Sequence, residues 1–387
     1  MPSYSFDKVT IDGFRALRHL ELHDLGQINI LVGENNSGKT SVLEALSILC
    51  NPLEPLEWLA MVRRRDFGGV DETRIQSLRW CFPQTGQLVD PDFMFESGCR
   101  MSCEGVFPLR LLQVLYKDIV GFPDAWELRR FASHSRLRDE PIEDTKLWRG
   151  GEISHLVDAT ELLPQNSPFN KEGLENEEWK VRVWEDLPLS SGRPRLKWGS
   201  IPNETITPYS YQMNRVQVRH QSLQVFEDQQ ELILELIRDY DPDIDNIKIA
   251  SFGGNRPAIY VHHRKLGPAP LSVFGDALRR AVLLANTLYG LRNGGLLLID
   301  EVGTGIHVSN LKKVFSWLAK ISRQLKVQVV ATTHSLEAVD AIALSALETE
   351  DDIVTFHLDQ HEERTRSKRI SGELLLRLRR ERGLDVR

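Results

Sequence analysis

Eight consecutive residues, Gly33 to Thr40, read GENNSGKT and fit the pattern G-x-x-x-x-G-K-[ST] of a phosphate-binding loop. The pattern constrains the fold because it needs a strand before it and a helix after it. The apolar run Ile28-Asn29-Ile30-Leu31-Val32 supplies the strand. Val42, Leu43, Ala45, Leu46 and Leu49 recur at helical spacing behind the loop and predict a helix packed on a sheet. Gly33 and Gly38 let the backbone turn tightly, so that successive N–H groups of Glu34, Asn35, Asn36 and Ser37 can point at phosphate oxygens. Lys39 is then placed for the β- and γ-phosphates, the Thr40 hydroxyl for Mg²⁺, and Ser41 opens the helix whose positive end faces the anion.

The chain has 387 residues, 41% apolar and 27% charged, which are the proportions of an ordinary globular protein with core for two or three domains. No apolar run approaches 18 residues, so no membrane contact is expected. The first residues, MPSYSFDKVTIDGF, lack the basic and apolar regions of a secretory signal, and a cytoplasmic protein is expected. The four cysteines, Cys50, Cys81, Cys99 and Cys103, read as structural thiols of a reducing compartment. Cys99 and Cys103 have a zinc-like spacing but no second Cys/His pair to complete it. A net charge of −7 excludes a uniformly basic nucleic-acid binder and leaves local patches open.

Ahead of the loop, Phe6 to Ile11 and Arg18 to Leu22 predict short strands around a Gly13-Phe14-Arg15 turn. Behind it, Trp58 and Met61 lie on a helix-like segment whose run Arg63-Arg64-Arg65 reads as a solvated face. Ser77 to Phe82 alternates and predicts a strand, with Gln84 just beyond it where a magnesium-sensing glutamine could lie. From about residue 96 to 220 the composition changes. Five of the eight tryptophans fall there, prolines recur, and neither a repeat nor a heptad is found. This predicts an inserted globular lobe. Residues 221–240 predict an amphipathic helix, and residues 247–250 and 258–261 a hairpin. Asp241, Asp243 and Asp245 imitate the start of a calcium loop, but Asn246 and Phe252 stand where it needs Gly and Glu, so they read as a turn.

Four motifs follow. Leu271-Ser272-Val273-Phe274-Gly275-Asp276 precedes a helix, and a Ser and a Gly there can contact a γ-phosphate. Gly295 to Glu301, GLLLIDE, reads as a buried parallel strand ending in two carboxylates. Such a pair is costly unless a metal or a reaction uses it. Asp300 is expected to hold Mg²⁺, and Glu301 to orient or deprotonate the attacking water. Val302 to His307, VGTGIH, offers a tight turn. Val327 to Ser335, VQVVATTHS, is a second buried strand, and His334 at its end is placed to hydrogen-bond the γ-phosphate.

With GENNSGKT, LSVFGD, LLLIDE, GTGIH and TTHS in this order, the chain resembles the ABC-type ATPases of the SMC and overcoming-lysogenisation-defect (OLD) group. The resemblance covers residues 1–95 and 225–370. It implies an α/β fold of the P-loop NTPase, ABC/SMC-head type, with a mixed sheet, helices on both faces and an inserted α+β lobe. Residues 1–95 and 221–387 would form the discontinuous head, and 96–220 the lobe. It implies an ATP phosphohydrolase using ATP and Mg²⁺, with Lys39, Glu301 and His334 catalytic and Thr40 and Asp300 on the metal. It also implies a homodimer or higher homo-oligomer that buries two ATP molecules. Gly33 to Ser41 would act in cis, and Ser272 and Gly275 across the interface. OLD nucleases add a C-terminal toprim domain, for which the 52 residues after Ser335 leave no room. Stand-alone relatives imply a bacterial anti-phage sensor beside a separately encoded effector. A DNA-repair or chromosome-maintenance ATPase acting on nucleic acid, and an ATP-binding scaffold with little turnover, are the alternatives. The arginine-rich stretch from Arg364 onward could bind phosphate backbone or form a solvated face.

Overall fold

The computed structural model describes residues 5–52, 55–65, 74–84, 96–106, 109–124, 147–159, 178–185, 201–212, 231–251, 257–348, 353–361 and 364–382. Its centre is a six-stranded mixed sheet. The strands are β3 (Ile28–Val32), β8 (Asn203–Ile206), β12 (Gly295–Ile299), β13 (Val327–Thr332), β14 (Ile353–His361) and β15 (Arg364–Ser371), in the order β15-β14-β3-β13-β12-β8. All pairings are parallel except β14 with β15. Every residue of β3, β12 and β13 is buried, as expected of strands covered on both faces. Two polar residues in these strands are satisfied internally. Asn29 bonds the Gly26 and Val329 carbonyls at 2.9 and 3.2 Å, and Gln328 bonds the Phe6 and Gly26 carbonyls at 2.8 and 3.0 Å.

One face of the sheet carries α1 (Lys39–Cys50) and the core that includes Leu46, Leu49, Trp58 and Phe82. The other carries α4 (Glu231–Arg238), α5 (Asp276–Gly290), α6 (Val308–Leu325), α7 (Leu336–Glu348) and α8 (Gly372–Arg382), around Val282, Leu288, Phe315 and Leu318. Helices α2 (Pro55–Arg65) and α3 (Arg74–Arg79) follow α1. Arg64 of the arginine run pairs with Glu57 at 2.9 Å and is half-buried, while Arg63 faces solvent.

A second, antiparallel sheet has the order β2-β1-β4-β5-β6-β7, from β1 (Lys8–Asp12), β2 (Leu20–Leu22), β4 (Glu96–Glu104), β5 (Leu109–Gly121), β6 (Trp148–Ala159) and β7 (Glu178–Trp184). Strands β9 (Ile244–Ala250), β10 (Ala258–His263) and β11 (Gly267–Pro270) form a small third sheet, which contains the predicted hairpin. The two larger sheets meet edge to edge where β15 runs beside β2. Thr365 N–H bonds the Arg18 carbonyl at 2.8 Å, and Arg369 Nε bonds the Asp24 carbonyl at 3.0 Å.

Three differences from the sequence reading have physical reasons. Ser77 to Phe82 is no strand: α3 covers Arg74–Arg79, and its buried side chains, Ile75 and Leu78, follow a three-residue step that continues to Cys81. The alternation of Leu78, Trp80 and Phe82 misleads because Trp80 is 52% exposed. Within the segment expected as a lobe, 96–220, the described strands join other sheets. Its strands β4 to β7 extend the sheet begun by β1 and β2, and β8 pairs with β12 in the central sheet. Of the helix predicted over 221–240, residues 231–238 are helical, and its first part lies outside the described residues. All four cysteines are buried and in the thiol form, and burial raises the pKa of the Cys99 thiol.

Candidate functional site

The site lies at the carboxyl ends of β3, β12 and β13, where an open parallel sheet gathers its ligands. The loop from Gly33 to Gly38 joins β3 to α1, with Gly38 as the residue before the helix. Gly33 adopts φ 144°, and a Cβ there would stand 2.3 Å from the Leu358 carbonyl oxygen and 2.8 Å from Ser37 Oγ. The loop is thus drawn against β14 with no room for a side chain. Lys39 is buried, and its ammonium donates to the Gly33 and Glu34 carbonyls at 2.7 and 2.8 Å. Burial pulls the Lys39 pKa down, while the nearby carboxylates of Glu301 and Asp300 pull it back up.

Hydroxyl and carboxylate groups from three elements converge beside the loop. Thr40 Oγ1 donates to Asp300 Oδ1 at 3.1 Å, and Thr332 Oγ1 donates to the same oxygen at 2.8 Å. The Glu301 N–H donates back to Thr332 Oγ1 at 2.9 Å. Glu301 takes a left-handed backbone, φ 58°, unusual for a residue with a long side chain. Its carboxylate lies 3.0 Å from His334 Nε2. Burial raises the Glu301 pKa, the neighbouring Asp300 raises it further, and Lys39 opposes both.

The sequence-predicted residues Lys39, Thr40, Asp300, Glu301 and His334 are therefore brought together, linked by the bonds just given or by their fields. An open cavity of about 710 Å³ lies over the loop, lined by Asn36, Gly38, Lys39, Thr40, Ser41 and His334. Arg15, Arg18, Trp80, Phe82, Gln84 and Gln360 also border it. Gln84 thus reaches the site, with its amide donating to the Arg79 and Phe82 carbonyls at 2.9 and 2.8 Å. Ser272 and Gly275 do not line this cavity. Ser272 is exposed, and the space over Gly275 is open. His307 accepts from the Ser309 N–H and caps α6, which accounts for it without a ligand.

The residues fit a magnesium nucleotide. A buried ammonium, that of Lys39, lies within the loop, and a hydroxyl stands beside a carboxylate in the pairing that a hard cation takes. Thr40 and Asp300 would hold the metal, which when bound neutralises charge on the phosphates. The chain's own groups would cradle, orient and accept a proton. Sequence reasoning gave Thr332 no role, although a hydroxyl closing the apolar strand VQVVAT was a visible signal. Arg15, Arg18 and Trp80 carried no signal, because only long-range packing brings them to the loop, and Gln360 arrives because β14 pairs with β3.

The profile of a family described as "AAA domain, putative AbiEii toxin, Type IV TA system" matches residues 127–340, more than half of the chain. The chain belongs to this family. A second profile, "AAA ATPase domain", matches residues 6–85, which include the phosphate loop. Two short stretches resemble curated proteins. One is 46% identical over 48 residues to the uncharacterized protein MJECL10 of Methanocaldococcus jannaschii, covering 12% of this chain and 22% of that one. The other is 56% identical over 39 residues to the DNA replication and repair protein RecF of Nitrosococcus oceani, covering 10% of this chain and 11% of that one. The chain thus spans a small part of the length of these relatives. Among solved structures, the SmcHead bound to the C-winged helix domain of ScpA aligns over 95% of this chain and 98% of its own, at 11% identity and a TM-score of 0.50. That likeness is one of fold. This member of the AAA family thus shares the fold of an SMC head. No described helix is long and apolar enough to cross a membrane.

Proposed function

We propose that this ATPase is a dimeric switch of the DNA-repair or chromosome-maintenance kind, in which two heads close over two MgATP and so change their hold on nucleic acid or a partner protein. The observation that carries the two-headed reading is one-sidedness. The phosphate loop, Asp300, Glu301 and His334 form one wall of a site, while Ser272 and Gly275 face outward. A second copy related by a two-fold axis would bring its Ser272–Gly275 segment to the open side. Exclusion of water there would strengthen every contact to the phosphates. Val273 and Val308 are 65% and 60% exposed, which suits surfaces that a second copy covers. In this reading Lys39, with the backbone of Gly33 to Ser41, binds the triphosphate, Thr40 and Asp300 take Mg²⁺, Glu301 accepts the proton of the attacking water, and His334 reads the γ-phosphate.

Nucleic acid as partner is favoured by β15. Arg364, Arg366 and Lys368 alternate along this exposed strand, and none makes an ion pair with a described residue. Their two-residue step spaces cations along one face, as phosphate contacts need. The RecF-like stretch points the same way. A second reading, an anti-phage component working beside a separately encoded effector, draws on the toxin-system wording of the family description.

The deciding experiment is ATP turnover against protein concentration, with and without duplex DNA. The switch reading expects specific activity to rise with concentration and DNA to change it. Equal specific activity from a verified monomer at every concentration would overturn the dimer. Binding to duplex DNA should weaken with salt, and replacing Arg364, Arg366 and Lys368 with Gln should lower that salt slope by about 3. An unchanged slope would remove β15 from DNA contact.

A further inference from the structure

The turn that follows β8 sits between two parts of the chain with different duties. Strand β8 pairs with β12 along Leu296 to Ile299, and the Asp300 N–H donates to the Ile206 carbonyl at 2.8 Å. The end of β8 is therefore tied to the metal-site carboxylate's own backbone. Beyond it the chain folds on itself, with Thr207 N–H and Ser210 Oγ 2.9 Å apart. This turn presents Tyr211, which is buried.

Tyr211 grips the start of α5, the helix led by Ser272–Gly275. Its hydroxyl donates to Asp276 Oδ2 at 3.2 Å. The guanidinium groups of Arg279 and Arg280 lie 4.8 and 4.4 Å from its ring centroid, within cation–π range. Arg279 also bonds Asp276 at 3.1 Å, and Arg280 bonds the Pro208 carbonyl at 2.9 Å. Arg280 touches the turn after Glu301 as well. A Cβ on Gly305 would lie 2.6 Å from Arg280 Nε, so that turn runs flush against the guanidinium. One arginine thus lies against the β8 turn, the Tyr211 ring and the Gly303–His307 turn.

We propose that Tyr211 and Arg280 form a latch that ties the backbone of Asp300 to the Ser272–Gly275 segment of the same chain, so that occupancy of one nucleotide site sets the surface offered to the second copy. The inference rests on the two-headed reading and adds to it a route by which each head's own site governs what it does for its partner's. Tyr211 and Arg280 are positioning residues, for neither lines the cavity over the phosphate loop. Two contacts in series carry the coupling: the β8–β12 ladder and the cation–π contact of Arg280 with the Tyr211 ring. A flexible or merely apolar filler in place of the ring would keep the fold and lose the register of α5.

The test uses the full chain carrying Glu301→Gln, which is expected to trap the ATP-bound state. Nucleotide affinity is read by calorimetry on dilute protein, and ATP-driven self-association by sedimentation. Adding Tyr211→Leu or Arg280→Lys should weaken self-association about tenfold or more, within the usual range of coupling between sites, while affinity for MgATP changes by no more than about twofold. Tyr211→Phe, which keeps the ring, should lie between these and the parent. Arg280→Lys retains the charge and the stem, so it serves if Tyr211→Leu does not fold. Unchanged self-association in a parent that does associate overturns the latch alone. A parallel fall in nucleotide affinity also overturns it, since the cluster would then support only its own site. A parent that stays monomeric with ATP brings down the two-headed reading, and the latch with it.

Discussion

With its ammonium already held by the Gly33 and Glu34 carbonyls, Lys39 lies folded inside the loop that it would share with a triphosphate. Lys39→Ala removes the cation and leaves those carbonyls facing the anion, so MgATP binding should vanish at micromolar nucleotide. Wild-type affinity by calorimetry would contradict this. Glu301→Gln keeps the size of the side chain and removes its basicity, so binding should persist while turnover falls about 10²-fold or more, the scale of a lost general base. Steady-state phosphate release measures it. Gly33→Ala tests the loop's fit against β14. The added carbon would sit 2.3 Å from a backbone oxygen, at a φ that alanine avoids. The expected cost is about 2–4 kcal/mol of stability, measurable by denaturant unfolding.

Among the elements, β6 carries a titratable contact away from the nucleotide. Glu152 is buried, with Arg182 Nε at 2.9 Å and Lys117 Nζ at 3.2 Å. Burial alone would raise its pKa, but the bonds from Arg182 and Lys117 outweigh this and hold the carboxyl below its ordinary value. A carboxyl depressed by folding stabilises at pH above its unfolded pKa and loses that contribution as pH falls through the folded one. Glu152→Gln should therefore cost about 2 kcal/mol near pH 7, and the gap to wild type should narrow as pH falls below the ordinary carboxylate range. Thermal melts across that range check it. At this scale the sequence was most legible where burial is uniform. The strands INILV, GLLLI and VQVVAT and the loop behind the first declare themselves, because nothing else needs such runs. The antiparallel sheet was not legible as a continuation of β1, since strand pairing across residues 12 to 96 leaves no local trace. Trp80 reaches the site through tertiary packing, and Gln360 because β14 lies beside β3 in the central sheet.

For the whole molecule, the two-headed reading makes a prediction that needs mixed chains. Lys39→Ala chains and Gly275→Asp chains should each be inactive alone. Mixed, they should partly recover turnover, because one of the two composite sites regains both walls. No recovery with demonstrated subunit exchange would count against the shared site. The order of strands in the central sheet has a separate bearing, on how the chain is made. Strand β3 is synthesised some 300 residues before its two neighbours, β13 and β14. Throughout that interval an apolar strand and its phosphate loop have no sheet to join. Pairing at such separation is slow and leaves sticky surface exposed. The phosphate loop therefore takes its place at the sheet's edge only once β13 and β14 have been made, and nucleotide binding has to follow their synthesis.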